Sequence, residues 1–118
     1  MKRFLTIYMG TAYARSSAQW DEMDANQRQA LQAKGMKAWM EWGAANAAAI
    51  VDQGSPLGKT KRASKQGIAD FKNSMTAYTI VQAESHAAAA KMFENHPHFT
   101  IFPGDSVEIM ECLPLRGQ

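Results

Sequence analysis

Two histidines and two carboxylates lie close together near the end of this sequence. His96 and His98 flank a proline, and Asp105 and Glu108 follow shortly afterwards. Histidine titrates near neutral pH, so an imidazole that is oriented by a carboxylate can act as a general base or acid. The sequence therefore predicts proton chemistry, with His98 as the catalytic group and Asp105 or Glu108 as its partner.

Each of these residues also has a structural interpretation. His98 can cap a helix end or hydrogen-bond a loop carbonyl, and His96 fits a helix end where the dipole favours a cationic ring. The two histidines can also be metal ligands, but no third ligand accompanies them at helical spacing, so we expect no metal. Glu108 can instead lie at a wet sheet edge or form an ion pair between subunits.

The elements that carry these residues follow from hydrophobic periodicity and strand propensity. In chain order, the patterns predict a strand over Phe4–Met9, a helix over Met36–Gln53, a basic strand over Leu57–Ala63, a strand over Met75–Ala83, a helix over His86–Asn95 and a strand over Ser106–Cys112. Asp24 and Gln27 have the spacing of a capping box, which predicts a short extra helix ended near Lys34-Gly35. The order is that of the ferredoxin-like split βαβ fold, an α+β class with four antiparallel strands and both helices on one face.

Strand phase decides which side chains share the predicted site. In the last strand Val107 is expected to face the helices, which turns Glu108 to the other side. In the first strand the same reasoning puts Ile7 toward the helices and Tyr8 beside Glu108. Tyr8 is therefore a predicted substrate-binding residue, in a pocket that also contains His98.

Composition limits the class of protein. The chain has 118 residues and a net charge of +2, with 46% hydrophobic residues, so we expect a single globular domain over 1–118. Cys112 is the lone cysteine, which excludes an intrachain disulfide and fits the cytoplasm. No apolar run approaches the roughly 20 residues that cross a bilayer, so we expect no membrane association.

Basic residues cluster over the segment 59–72, against one acidic residue, Asp70. An anion-steering rim or a nucleic-acid patch is one interpretation. No aromatic residue alternates with the lysines before Phe71, so a lysine-protected edge strand is the better one and we expect no nucleic-acid partner. The sequence has no phosphate loop or dinucleotide fingerprint, and we expect no cofactor.

Segments along nearly the whole chain resemble the YCII-related domain family. They are the strand FLTIYMG from Phe4, the helical WMEWG from Trp39, the turn QGSPLG from Gln53, the strand YTIVQAES from Tyr78, and Pro97-His98 followed by GDSVEI from Gly104. The resemblance implies a dimeric α+β barrel in which two sheets pack face to face. It also implies, for some members, a catalytic histidine–aspartate pair, to which His98 corresponds here.

Together these observations predict a homodimer with a cleft at the interface. In that cleft we expect a small enzyme that carries out acid/base chemistry on a small polar or anionic metabolite. The alternative is a non-catalytic protein of the same fold that binds a small ligand or acts as an accessory protein.

Overall fold

The computed structural model describes residues 1–115, so positions 116–118 of the predicted domain lie outside the described residues. Within residues 1–115 the strands are β1 (Lys2–Met9), β2 (Ile50–Pro56), β3 (Thr60–Ser64), β4 (Gly67–Phe71), β5 (Met75–Ala83) and β6 (Ser106–Glu111). The helices of this part are α1 (Ala12–Ser17), α2 (Ala25–Ala45), α3 (His86–Lys91) and α4 (Pro97–Thr100), with a 3₁₀ turn at Trp20–Glu22.

Four strands form one antiparallel sheet in the order β2-β5-β1-β6. The core lies between one face of this sheet and the helices, where Phe4 and Val81 meet Trp39, Ala89 and Phe93. This arrangement confirms the predicted α+β class, with a four-stranded antiparallel sheet and helices packed on one face.

Helix α2 departs from the prediction at both ends. The capping box at Asp24 and Gln27 is present, with hydrogen bonds of 2.8 and 3.0 Å, but it begins one continuous helix instead of a short separate one. The predicted limits Met36–Gln53 are wrong, because α2 ends earlier and Ile50 already pairs with Val81 in the sheet. Among the helices of residues 1–115, none is both long enough and apolar enough to cross a membrane.

Gly35 lies in the middle of α2 and does not end it, contrary to the prediction. Gly35 is buried, and a β-carbon placed on it would come within 2.4 Å of the Phe102 ring. Glycine weakens a helix by about 1 kcal/mol relative to alanine. Glycine is nevertheless favoured at this position of the helix, because only a residue without a β-carbon leaves room for Phe102.

The segment between β2 and β5 forms a separate hairpin. The predicted strand Leu57–Ala63 corresponds to β3, but β3 pairs with β4, and the fourth strand of the main sheet is β2. Every side chain of β3 and β4 is exposed or half-buried, and the molecule measures 54 Å along its longest axis. The hairpin therefore projects from the sheet and adds little to the core.

The junction after α3 is built differently from the prediction. The predicted helix His86–Asn95 is shorter, since α3 ends at Lys91. Pro97 begins a second helix, because the first turn of a helix does not need the N–H that proline lacks. As a result His96 caps α4 and His98 lies within it.

Alternate residues of β1 point to the faces opposite to those predicted. Tyr8 lies across from Val107 and Ile7 lies across from Glu108, so Tyr8 faces the helices and Ile7 shares the open face with Glu108. The expectation that Tyr8 and Glu108 share a face is wrong. Tyr8 can be buried because its hydroxyl lies 3.1 Å from Thr79 Oγ1, which satisfies its hydrogen-bonding capacity.

Gly35→Ala should destabilise the protein by about 1–3 kcal/mol, because the added methyl group overlaps the Phe102 ring. Gly43→Ala in the same helix is the matched control. No described atom lies within 4 Å of a β-carbon at Gly43, so this change should stabilise the helix by up to about 1 kcal/mol. Urea unfolding measures both; an equal gain from the two substitutions would contradict the close packing at Gly35.

Candidate functional site

The imidazole and backbone of His98 are held by three hydrogen bonds. Its N–H donates to His96 Nδ1 at 3.0 Å, and its carbonyl accepts from the Gly104 N–H at 3.0 Å. Its ring Nε2 lies 2.7 Å from the carbonyl oxygen of Met9, at the end of β1. Both the backbone and the ring of His98 are therefore fixed in place.

These contacts also determine the tautomer of His98. A carbonyl oxygen only accepts, so Nε2 must carry the proton that it donates to Met9. In the neutral ring Nδ1 then keeps a lone pair, and Nδ1 makes no hydrogen bond within residues 1–115. Burial lowers the pKa of His98 below 6.5, against the opposing effects of the Met9 carbonyl and the negative charge of Asp105. At pH 7 the His98 imidazole is therefore mostly neutral.

A cavity of about 450 Å³ opens beside His98, large enough for a small molecule. Its wall combines backbone, apolar and polar groups from α1, β5, α4 and the loop before β6: Gly10, Thr11, Ala12, Arg15, Thr76, His98, Phe102, Pro103 and Gly104. This mixture of an apolar wall with a few polar side chains is typical of small-molecule sites.

The lining of the cavity provides one cationic side chain, that of Arg15, and two hydroxyl groups, those of Thr11 and Thr76. Arg15 donates from Nη2 to Asp21 at 2.6 Å, and this hydrogen bond lowers the pKa of the Asp21 carboxyl. The remaining guanidinium N–H groups can still bind an anion. Thr11 donates to Asp105 Oδ1 at 3.0 Å, and Thr76 donates to a β1 carbonyl at 2.8 Å, so both hydroxyls can only accept from a ligand.

Asp105 lies near His98 without a side-chain hydrogen bond to it. Its backbone N–H donates to the Met9 carbonyl at 2.9 Å, so this oxygen serves both Asp105 and the His98 ring. Its carboxylate accepts from Thr11 and acts on His98 through its charge, which opposes the lowering of the His98 pKa. Asp105 is therefore close to His98, as predicted. The His98 ring is not oriented by that carboxylate, because the Met9 carbonyl orients it instead.

The other two predicted site residues do not reach the cavity within this chain. Tyr8 is 1% exposed and lies in the core, and burial raises the pKa of its phenol. Its ring packs edge-on to the His98 ring at 5.3 Å, so it supports the histidine from behind. Glu108 is exposed on the open face of the sheet, across from Ile7.

The metal interpretation of the two histidines does not suit their geometry. His96 Nδ1 accepts the His98 N–H, and His98 Nε2 is engaged with Met9. No group of three or more potential ligands among His, Cys, Asp and Glu occurs in the part of the chain that the structure describes. His96 is also not a cationic helix-end residue, since burial lowers its pKa to about 4.

Of the residues that line the cavity, only His98 was singled out from the sequence, and Gly104, Arg15 and Phe102 are among those that were missed. A β-carbon on Gly104 would come within 2.3 Å of His98 Nε2, so this glycine makes room for the ring. Arg15 lies in α1, a helix that no periodic pattern in the sequence predicts, and Phe102 lies in the loop before β6. The one available signal was the Pro-Gly pair before Asp105, which marks a turn but not the contact that it makes.

Comparisons with known proteins add information about the fold. No family model matches the chain, and no curated protein matches its sequence. The structure is similar to that of 5-chloro-2-hydroxyhydroquinone dehydrochlorinase from Burkholderia phenoliruptrix, in complex with 2,5-dihydroxybenzoquinone. The TM-score is 0.52 and the identity is 15%, over 91% of this chain and 89% of that one. At this identity the similarity shows a shared fold.

Gly104→Ala should displace the His98 ring, because the new methyl group overlaps both the ring and the His98 carbonyl. We expect the hydrogen bond to Met9 to be lost and the His98 pKa to rise toward 6.5 as the ring becomes solvated. NMR titration of the ring measures this shift. Gly58→Ala is the control, since no described atom lies within 4 Å of a β-carbon there; an unchanged His98 titration in Gly104→Ala would contradict the packing argument.

Proposed function

We propose that this chain is a YCII-related protein that acts as a small acid/base enzyme. In this proposal His98 Nδ1 takes a proton from a small anionic metabolite that is bound in the adjacent cavity. The observation that carries the proposal is the anchoring of His98, whose other polar groups are all engaged while Nδ1 is left without a partner in residues 1–115. A fixed neutral imidazole beside a cavity has the properties of a general base.

The lining of the cavity supports an anionic or acidic substrate. Arg15 supplies a positive charge, and Phe102 supplies an apolar surface on which a flat molecule can pack. The dehydrochlorinase of the same fold was solved with 2,5-dihydroxybenzoquinone, a small planar compound of this class. When Nδ1 accepts a proton, the nearby Asp105 carboxylate stabilises the resulting imidazolium by its charge.

His98→Gln should reduce turnover by about 100- to 10,000-fold, because the general base is removed. The test panel contains 5-chloro-2-hydroxyhydroquinone, which is assayed by the release of chloride, and 2,5-dihydroxybenzoquinone, which is assayed by its absorbance. His86→Gln is the matched control, since the His86 ring is exposed and bonds the Ile109 carbonyl away from the cavity. Turnover that survives in His98→Gln would overturn the assignment of His98 as the general base.

The alternative is a binding protein that uses the same cavity. It is favoured by one observation: within residues 1–115, no carboxylate is hydrogen-bonded to His98 as it is in an oriented catalytic pair. Binding of a panel compound that shifts the amide signals of Thr11 and Gly104, without any turnover, would support this alternative.

We also propose that two copies pair through the open face of the sheet, as a dimeric α+β barrel. The face opposite the helices carries several apolar side chains that are at least partly exposed in the single chain, and they include Leu5, Met9, Ile80 and Met110. An apolar patch of this kind is usually an association surface, and a twofold axis lets it cover itself. Glu108 lies on the same face, so any part that it plays in the chemistry depends on the second copy.

The remaining features of the proposal concern the whole chain. We propose one domain over 1–118 that functions in the cytoplasm, where the exposed thiol of Cys112 stays reduced. The basic hairpin β3–β4 fits lysine protection of an exposed edge, and we propose a small molecule and a second copy of the chain as the partners.

Met110→Lys should convert the dimer into a monomer, because Met110 is 43% exposed on the open face and burying a lysine ammonium at an apolar contact is unfavourable. Light scattering at micromolar concentration should give twice the 13.0 kDa chain mass for the wild type and one chain mass for the variant. Met40→Lys is the control, since Met40 is 71% exposed on α2. A wild-type mass of 13.0 kDa would contradict the dimer.

A further inference from the structure

We infer that His96 is a positioning residue that holds the His98 base in its active orientation and tautomer. This inference rests on the proposed role of His98 and extends it to a residue that does not touch the cavity. His96 is 0% exposed, and its Nδ1 accepts the backbone N–H of His98 at 3.0 Å. Its carbonyl accepts from the Thr100 N–H at 3.1 Å, so His96 caps α4 with its side chain and its backbone.

The cap is an unusual choice for this position. Serine, threonine, aspartate and asparagine are the usual N-cap residues, and each of them satisfies an N–H of the first turn with a short side chain. His96 does so with a ring that fills a space between aromatic side chains. The centroid of the His96 ring lies 4.5 Å from that of Trp39 and 4.7 Å from that of Trp42, with ring planes close to perpendicular.

The second ring nitrogen, Nε2, indicates that His96 is needed at this position for the hydrogen-bond acceptor at Nδ1. Because Nδ1 accepts a hydrogen bond, the proton of the neutral ring lies on Nε2. His96 Nε2 is buried and has no hydrogen-bond partner in the described residues, so this N–H meets at most the weak attraction of the surrounding rings. A buried donor without a partner is unfavourable, and a phenylalanine would pack there without that loss. The acceptor at Nδ1 is what a phenylalanine cannot supply.

The acceptor at His96 Nδ1 affects the His98 ring through the His98 backbone. The His98 N–H is bound by His96, its carbonyl by Gly104 and its Nε2–H by Met9. Without the first of these bonds the initial turn of α4 loses its cap, and the direction of the His98 side chain is no longer fixed at its root. The Nε2–H bond to Met9 then weakens, and the proton can move to Nδ1, where it eliminates the lone pair that the proposed base requires.

Two substitutions at His96 separate the effect of its hydrogen-bond acceptor from the effect of its ring volume. His96→Asn keeps an oxygen that can accept the His98 N–H but leaves a void beside Trp39 and Trp42. His96→Phe fills that void but removes the acceptor. We expect His96→Asn to be the less stable of the two by urea unfolding, and His96→Phe to be the one that disturbs His98.

The readout is the ¹⁵N NMR spectrum of the histidine rings, with His98→Gln used for assignment and the exposed His86 as an internal reference. The wild type and His96→Asn should show His98 as the single Nε2–H tautomer. In His96→Phe the two His98 nitrogens should move toward averaged positions, and the His98 pKa should approach its ordinary value. If a panel compound is turned over, its kcat should fall on the order of 100-fold in His96→Phe with KM nearly unchanged.

A purely structural role for His96 predicts a different pattern. In that case the less stable variant, His96→Asn, would show the greater change at His98, and this result would overturn the inference. An unchanged His98 tautomer in His96→Phe would overturn it as well. The ring spectra require no substrate, so failure of the proposed role of His98 as the general base would appear separately, as turnover that persists in His98→Gln.

Discussion

The carbonyl oxygen of Met9 is the contact on which the candidate site depends. It lies at the end of β1, a central strand of the sheet, and it accepts hydrogen bonds from the His98 ring and from the Asp105 backbone. These two donors come from α4 and from the loop that leads into β6. One backbone oxygen therefore joins the end of a strand, a short helix and the loop before the next strand, and it determines the tautomer of His98 at the same time.

Hydrogen bonding inside the core decides which face of the sheet is left open. Thr6 donates to the Thr79 carbonyl at 2.7 Å, and Tyr8 lies 3.1 Å from the Thr79 hydroxyl. Thr79 Oγ1 donates in turn to the Gln53 carbonyl at 3.4 Å, so Tyr8 is the donor in its pair. Because these polar groups are satisfied by neighbouring strands, they are stable beneath the helices. The more apolar alternate residues, such as the half-buried Leu5, are consequently placed on the open face, where a second copy can cover them.

Tight packing around aromatic rings shapes the cavity. Gly35 leaves space for Phe102, and Gly104 leaves space for the His98 ring. Phe102 lies 6.1 Å from the Trp39 ring, which also packs on His96. The cavity wall and the buried cap of α4 are therefore parts of one aromatic cluster.

Local patterns in the sequence determined much of the fold. Strand propensity placed β5 over Met75–Ala83, as the structure has it, and the capping box at Asp24 was correctly predicted. The order of elements was sufficient to predict the α+β class with a four-stranded antiparallel sheet. His98 was singled out because its residue type and its position after a helix are visible without any contact.

Tertiary structure alone decided the rest. The phase of β1 depends on partners such as Thr79, which lies 71 residues from Tyr8 along the chain, so alternation in one strand could not assign its faces. The limits of α2 depend on the pairing of Ile50 with Val81 and on the Phe102 ring above Gly35. Helical and strand periods are local properties, whereas burial and hydrogen-bond satisfaction are properties of the assembled layers. For that reason the sequence singled out His98, and only the fold showed what holds it.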